Sequence, residues 1–271
     1  MAAKPFFSII IPALNEEKYL PKLLVDLSEQ SYQDFEVIVV DGGSKDKTVT
    51  LVSSFSDKLP KLTVINSPRA HVCTQRNLGA KHAKADILIF SDADNRFPSY
   101  FLQGIKYQWE KESVEAITTH LDPDKKTSQN IAIANAINTL FDLQRTFKIT
   151  RILESMIVVS KSAFVDIDGF NENSDFGEGD SFVKSLFAKG FSVRIVREPT
   201  YTFSFRRIRR YGLMGIAGRV AKLELSKLLG EDFTNLQAKK LYPMLGGTLF
   251  NKTRKSKNKF IKNIQKLLKD L

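Results

Sequence analysis

The sequence predicts an α/β fold, a mixed and mainly parallel sheet flanked by helices and followed by a basic, helical C-terminal extension. Three observations predict it. Short β-branched apolar runs alternate with segments of helical periodicity from residue 6 to residue 90. Acidic residues stand directly after two of those runs. The charge is also split: against a whole-chain total of +11, residues 1 to 193 carry a net −3 and residues 194 to 271 a net +14.

The elements follow in order. Phe6 to Ile11 (FFSIII) and Phe35 to Val40 (FEVIVV) are nearly continuous apolar runs, as expected of strands buried on both faces. Between them Leu20, Leu23, Leu24 and Leu27 recur at helical spacing after Asn15-Glu16-Glu17. The alternation continues with a helix from Thr48 to Phe55, a strand from Leu62 to Ile65, a helix from Ala70 to Ala83 and a strand from Ile87 to Phe90. Beyond Asp94 the spacing predicts a helix over Ser99 to Glu112 and a strand over Ala116 to Thr119. A helical stretch from Gln129 to about Ile149 and a strand over Met156 to Ser160 come next. A helix from Ser181 to Lys189 stops at Gly190, a residue suited to the left-handed end of a helix, and one more strand spans Ser192 to Val196.

Composition narrows the classes. With 42% hydrophobic and 26% charged residues in a chain of 271, the protein is globular and long enough for a substantial core. Its one cysteine, Cys73, excludes an internal disulfide and a cysteine zinc cluster; a reducing, intracellular compartment and a small buried side chain are expected. The N-terminus reaches acidic residues too soon for a signal peptide, and no stretch approaches the ~20 apolar residues of a membrane span. His71, His82 and His120 show no metal-site spacing.

Chemistry is expected where strands end. Asp41 follows VIVV, and Asp92 and Asp94 follow ILIF. Side chains at those ends emerge into the crevice of a doubly wound sheet, where ligands gather. Two acids at i and i+2 can hold a hard divalent cation, which in turn neutralises a diphosphate. A lone aspartate after a strand is often only a turn former, but three delivered from two strands are a constellation. Neither G-x-G-x-x-G nor G-x-x-x-x-G-K-[ST] is present, which argues against a dinucleotide-binding dehydrogenase and a P-loop enzyme.

Five segments, IIIPALNEEKYL, VIVVDGGSKDKT, RNLGAKHAKADILIFSDADNRFP, VVSKSAFVDIDGFNEN and FGEGDSFVKSLFAKGF, resemble the successive signatures of family 2 glycosyltransferases of the GT-A fold. The resemblance covers residues 6 to about 196. It implies that Pro12, Ala13 and Glu16 border a nucleotide, that Asp41 reads the base edge, and that Arg76 lies near the diphosphate. It also implies that Asp92 and Asp94 form an Asp-x-Asp element, Asp94 being the direct ligand of Mn²⁺ or Mg²⁺. The plainer alternatives are that Glu16 only favours the start of its helix and that Arg76 is a surface residue.

The resemblance implies inverting transfer of a sugar from a nucleotide donor to an acceptor hydroxyl or lipid phosphate, with a carboxylate taking the acceptor proton. The family's base is usually the Asp of a Glu-Asp pair before a helix. Here the segment reads Gly177-Glu178-Gly179-Asp180, so a glycine stands where the base is expected. Asp180 is the expected base and Glu178 a supporting acceptor-site residue; the alternative for Asp180 is a helix N-cap. Arg207-x-x-Arg210-Tyr211 resembles a loose variant of the family's Gln-x-x-Arg-Trp element, placing Arg207 and Arg210 at the donor diphosphate.

Residues 1 to 205 are expected to form the catalytic domain and residues 206 to 271 a basic helical extension. Leu213 to Leu228 carry an apolar stripe. In the tail, Phe260, Ile261, Ile264, Leu267, Leu268 and Leu271 share one helical face, with Lys257, Lys259, Lys262, Lys266 and Lys269 around it. That profile suits a helix lying on an anionic membrane surface. The expected partners are therefore a nucleotide-sugar donor, a lipid-linked or saccharide acceptor and the inner face of the cell membrane. A soluble glycosyltransferase with a small or polymeric acceptor is the alternative. The overall charge also permits a nucleic-acid-binding protein, but no nucleic-acid motif accompanies it and none is expected to bind.

Overall fold

The apolar runs are continuous because their strands are covered on both faces; every residue of the second strand is buried. The structure, a computed structural model, describes residues 4–147, 154–173, 178–212 and 215. Within them one sheet contains β1 (Phe7–Ala13), β2 (Phe35–Asp41), β3 (Leu62–Asn66), β4 (Ile87–Ser91), β5 (Ala116–Pro123), β6 (Met156–Ser160) and β7 (Val193–Phe203). The strand order is β3-β2-β1-β4-β6-β5-β7. The pairs β1/β2, β2/β3, β1/β4 and β5/β7 are parallel, and β6 runs antiparallel to β4 and β5.

Alternation along the strands divides the core in two. On one face Phe7, Ile9, Ile11 and Val37 meet α1 (Leu20–Ser28) through Leu20, Leu23, Leu24 and Leu27. The same layer takes Val52 of α2 (Thr48–Ser53), Phe101, Leu102 and Ile105 of α4 (Phe101–Lys111) and Ala134 of α5 (Ser128–Phe147). On the other face Ile10, Ile38, Val40, Leu88 and Phe90 meet α3 (Val72–His82) through Cys73 and Ala80. Phe164 of α6 (Lys161–Asp166) and Phe182, Val183 and Leu186 of α7 (Glu178–Ala188) complete that layer. Each such side chain contributes about 1.5–3 kcal/mol relative to exposure. Gly79 sets how closely α3 lies on the sheet, since a Cβ there would collide with the Ile10 side chain.

The strands and most helices fall where the sequence places them. The main differences are these: β5 runs on past Thr119 to Pro123. β7 continues beyond Val196 to Phe203, through Arg197-Glu198-Pro199; these residues break the apolar run, but β7 is an edge strand, where proline and charge are tolerated. The short α6 is too brief to show a period. α7 begins at Glu178, so Asp180 lies inside its first turn and not at an N-cap. After β7 comes α8 (Arg206–Tyr211). The predicted helix following Gly212 and the basic tail at 252–271 lie outside the described residues, Gly212 and Gly215 apart.

Candidate active site

Because β1, β2 and β4 are parallel neighbours, their C-terminal ends open on one edge of the sheet, and Ala13, Asp41 and Asp92 arrive there together. Ala13 ends β1, its carbonyl accepting from Gly42 N at 2.8 Å and Gln75 Nε2 at 2.9 Å. Pro12, which has no N–H to give, lies beyond the last β1/β4 pair, Ile10 with Phe90. Asp41 ends β2. Its Oδ2 accepts from the amides of Gly43 and Ser44, each at 2.9 Å, while its Oδ1 is buried without a hydrogen-bond donor among the described residues. A buried acceptor in that state is costly unless a ligand supplies the donor.

Asp92 follows β4. Its amide donates to Ser155 O at 2.9 Å and its Oδ1 accepts from Arg76 Nη2 at 3.0 Å. Arg76 is not a surface residue: it is 1% exposed, projects from α3 beneath the crevice and lies 5.1 Å from the Phe170 ring centroid. The same Nη2 donates to Glu154 O at 2.9 Å. One buried guanidinium thus fastens Asp92 to the segment that leads into β6.

Asp94 meets a residue that sequence analysis assigned to the extension. Arg206 Nε lies 2.7 Å from Asp94 Oδ2, and its Nη1 and Nη2 donate to Glu16 Oε2 and Oε1 at 3.0 and 2.8 Å. Glu16 therefore does more than start a helix: α1 begins at Leu20, and the Glu16 side chain is buried against Arg206. Burial pushes the Glu16 carboxyl up, opposed by the Arg206 hydrogen bond and charge. Burial works against the Arg206 charge too, but the two carboxylates outweigh it and raise its pKa.

Arg207 and Arg210 sit on α8, with Arg210 over the Tyr211 ring at 5.6 Å. The arginine described at Asp94 is Arg206, one residue before the motif that sequence reasoning singled out. A cleft of about 760 Å³ opens beside Asp94, lined among others by Tyr19, Arg96, Asp122, Asp124 and Arg209. His120 is engaged elsewhere, its Nε2 lying 3.1 Å from Asp142.

Glu178 and Asp180 occupy the first turn of α7; their side chains lie outside the described residues. Between them Gly179 donates its N–H to Glu154 Oε1 at 2.7 Å. Sequence reasoning missed Glu154 and Arg206. The unexpected glycine at 179 was a signal for the first; the run of four arginines at 206, 207, 209 and 210 was one for the second, though it does not single out Arg206.

Compared with known proteins, residues 8–167 match the sequence profile of Glycosyl transferase family 2. The chain belongs to that family. An uncharacterized glycosyltransferase of Haemophilus influenzae is 26% identical over 212 residues, covering 72% of this chain and 63% of its relative. A 4,4'-diaponeurosporenoate glycosyltransferase of Staphylococcus haemolyticus is 44% identical over 92 residues, 32% of this chain and 24% of that protein. The chain thus spans less than two thirds of these relatives. Among solved structures, the Pyrobaculum calidifontis mannosyltransferase PcManGT, in complex with GDP-Man and Mn²⁺, superposes with a TM-score of 0.65 at 16% identity, covering 89% of this chain and 68% of that one. S. aureus TarS 1-349 in complex with UDP-GlcNAc gives 0.60 at 18% identity, covering 88% and 71%. For this family 2 chain the sheet is therefore of the GT-A kind. Among the described residues no helix is long and apolar enough to cross a membrane.

Proposed function

We propose that this protein is an inverting glycosyltransferase, moving a sugar from a nucleoside-diphosphate donor to an acceptor hydroxyl or lipid phosphate. The observation that carries the reading is the buried, donorless Asp41 Oδ1 at the end of β2, in the crevice shared with Asp92 and Asp94. A nucleobase N–H supplies the missing donor, and Pro12, Ala13 and Glu16 flank it.

Asp92 and Asp94 are hard oxygen ligands of the kind Mn²⁺ and Mg²⁺ take, and guanidinium groups balance both in the protein alone. Among the described residues no cluster of three or more such ligands exists, so donor phosphates and water would complete the coordination. Asp94, with Asp92, would hold the cation, which supplies neutralisation of the departing diphosphate. Arg76 orients Asp92 from below, and Arg207 and Arg210 on α8 add positive charge toward the phosphates.

The acceptor oxygen attacks the anomeric carbon as the bond to the diphosphate breaks, and a carboxylate takes the acceptor proton. The sequence offers Asp180 and Glu178, on the first turn of α7, for that role. Residues 1 to 205, with the arginines of α8, carry this chemistry. Residues 206 to 271 hold the enzyme at an anionic membrane surface on the cytoplasmic side, where the basic tail places a lipid-linked or saccharide acceptor within reach. The nucleotide-sugar complexes of TarS and PcManGT support the donor class.

Incubation with a panel of UDP- and GDP-sugars and Mn²⁺, followed by detection of released nucleoside diphosphate, tests the activity. Metal-dependent release that disappears in Asp94→Ala supports it; no release from any donor argues against it. Flotation with phosphatidylserine vesicles, with and without residues 252 to 271, separates the membrane-bound reading from a soluble one.

A further inference from the structure

We propose that Glu154 is the base that takes the acceptor's proton, entering the first turn of α7 through the space that Gly179 leaves. The proposal rests on the glycosyltransferase reading and deepens it.

β6 is antiparallel to β4, with Ser91 opposite Met156. The segment before β6 therefore runs back across the Asp-x-Asp element, and its contacts show that it does: Asp92 N donates to Ser155 O, and Arg76 Nη2 holds both Asp92 Oδ1 and Glu154 O. Sheet register thus sets the Glu154 backbone beside Asp92, both held by the one Arg76 guanidinium. From there its side chain reaches α7, where Gly179 N–H fixes Oε1 at 2.7 Å.

Gly179 is buried, and a Cβ built on it would fall inside the Glu154 side chain, with Cδ and Oε1 each 3.0 Å away. Any other residue at 179 would drive its Cβ into the Glu154 Cγ and push that side chain aside. The glycine at this position is what admits a carboxylate from another element.

In the step proposed, the acceptor O–H gives its proton to the Glu154 carboxylate as its oxygen bonds to the anomeric carbon. The bond from that carbon to the donor phosphate breaks, and the nucleoside diphosphate leaves with the electron pair. Water takes the acceptor's place in donor hydrolysis, which needs no knowledge of the natural acceptor.

The experiment uses the full chain, Mn²⁺ and the donor that the wild type hydrolyses. Glu154→Gln, which keeps an oxygen for the Gly179 amide, is expected to lower kcat about a hundredfold or more, with donor KM and donor-induced thermal stabilisation near wild type. Glu154→Ala should lose kcat similarly, and Glu154→Ala/Gly179→Asp, which returns a carboxylate to the same space from α7, should recover at least tenfold of it. A Glu154→Gln kcat within threefold of wild type overturns the proposal, most plainly if Asp180→Asn or Glu178→Gln loses turnover instead. Loss of donor binding confined to Glu154→Gln also overturns it, in favour of a structural role. A wild type that no nucleotide sugar stabilises removes the glycosyltransferase reading itself and this proposal with it.

Discussion

The guanidinium of Arg206 lies 2.7 Å from the carboxylate of Asp94. A side chain outside the predicted catalytic domain thus supplies positive charge where a divalent cation is expected. It also pairs with Glu16, a carboxylate only 4% exposed. A cation bound at Asp94, as proposed, would compete with Arg206 for the same negative charge.

Arg206→Gln should therefore have two effects of opposite sign. Without ligand, the buried Glu16 loses its partner, and stability falls by about 3 kcal/mol. With Mn²⁺ present, the variant should be stabilised more than the wild type, because no guanidinium has to give way. Urea unfolding with and without Mn²⁺ reads both; equal stabilisation by Mn²⁺ would rule out the competition.

Asp41→Asn isolates the base contact. The turn formed through Gly43 and Ser44 needs only one side-chain oxygen and should survive. The hydrogen bond to a charged acceptor is worth about 1.5–3 kcal/mol, so nucleotide affinity should fall by about tenfold or more. Calorimetric titration with UDP and GDP checks it, and an unchanged affinity for both would place the base elsewhere.

Gly179→Ala should cost about 1–3 kcal/mol, because its Cβ enters space filled by the Glu154 side chain, and turning that side chain aside breaks the 2.7 Å hydrogen bond from Gly179 N. Adding Glu154→Ala should relieve most of that cost. A thermal-melt cycle of the two single variants and the double variant measures the coupling; additive losses would show that the two side chains do not share the space.

Glu172 carries a pH dependence. It accepts from Arg69 Nη2, Thr74 Oγ1 and Asn77 Nδ2 at 2.8, 2.7 and 3.0 Å, pinning the segment that follows Gly169 to α3. Burial pushes its carboxyl up, but those hydrogen bonds together outweigh burial and hold it below the usual range. A lowered folded-state value adds stability that is fully present above the unfolded value of about 4.3 and is lost as pH falls through the folded one. Glu172→Gln should cost about 1 kcal/mol at pH 7, discounted for partial exposure, and progressively less toward pH 3. Urea unfolding at both pH values tests the sign.

What the sequence reveals and what it hides have separate physical causes. β1, β2 and β4 are legible because burial on both faces writes continuous apolar runs, and the acids at their ends are legible because parallel strands put all those ends on one edge. The far half of β7 is not, since an edge strand needs no such run. The pairing of Arg206 is illegible because Glu16, its partner, is 190 residues away. The sequence shows that Gly179 is out of place, but that Glu154 fills the space depends on β6 running antiparallel to β4, which no local pattern encodes.

The central claim, a cation-assisted nucleoside-diphosphate site at Asp41, Asp92 and Asp94, is tested most directly by titration calorimetry of UDP and GDP. The titration is run in Mn²⁺ and again after chelation, on wild type and Asp94→Asn. The expected result is binding of at least one nucleotide in Mn²⁺, weakened at least tenfold by chelation and equally by the substitution. Binding indifferent to both changes, or no binding of either nucleotide, would contradict the claim.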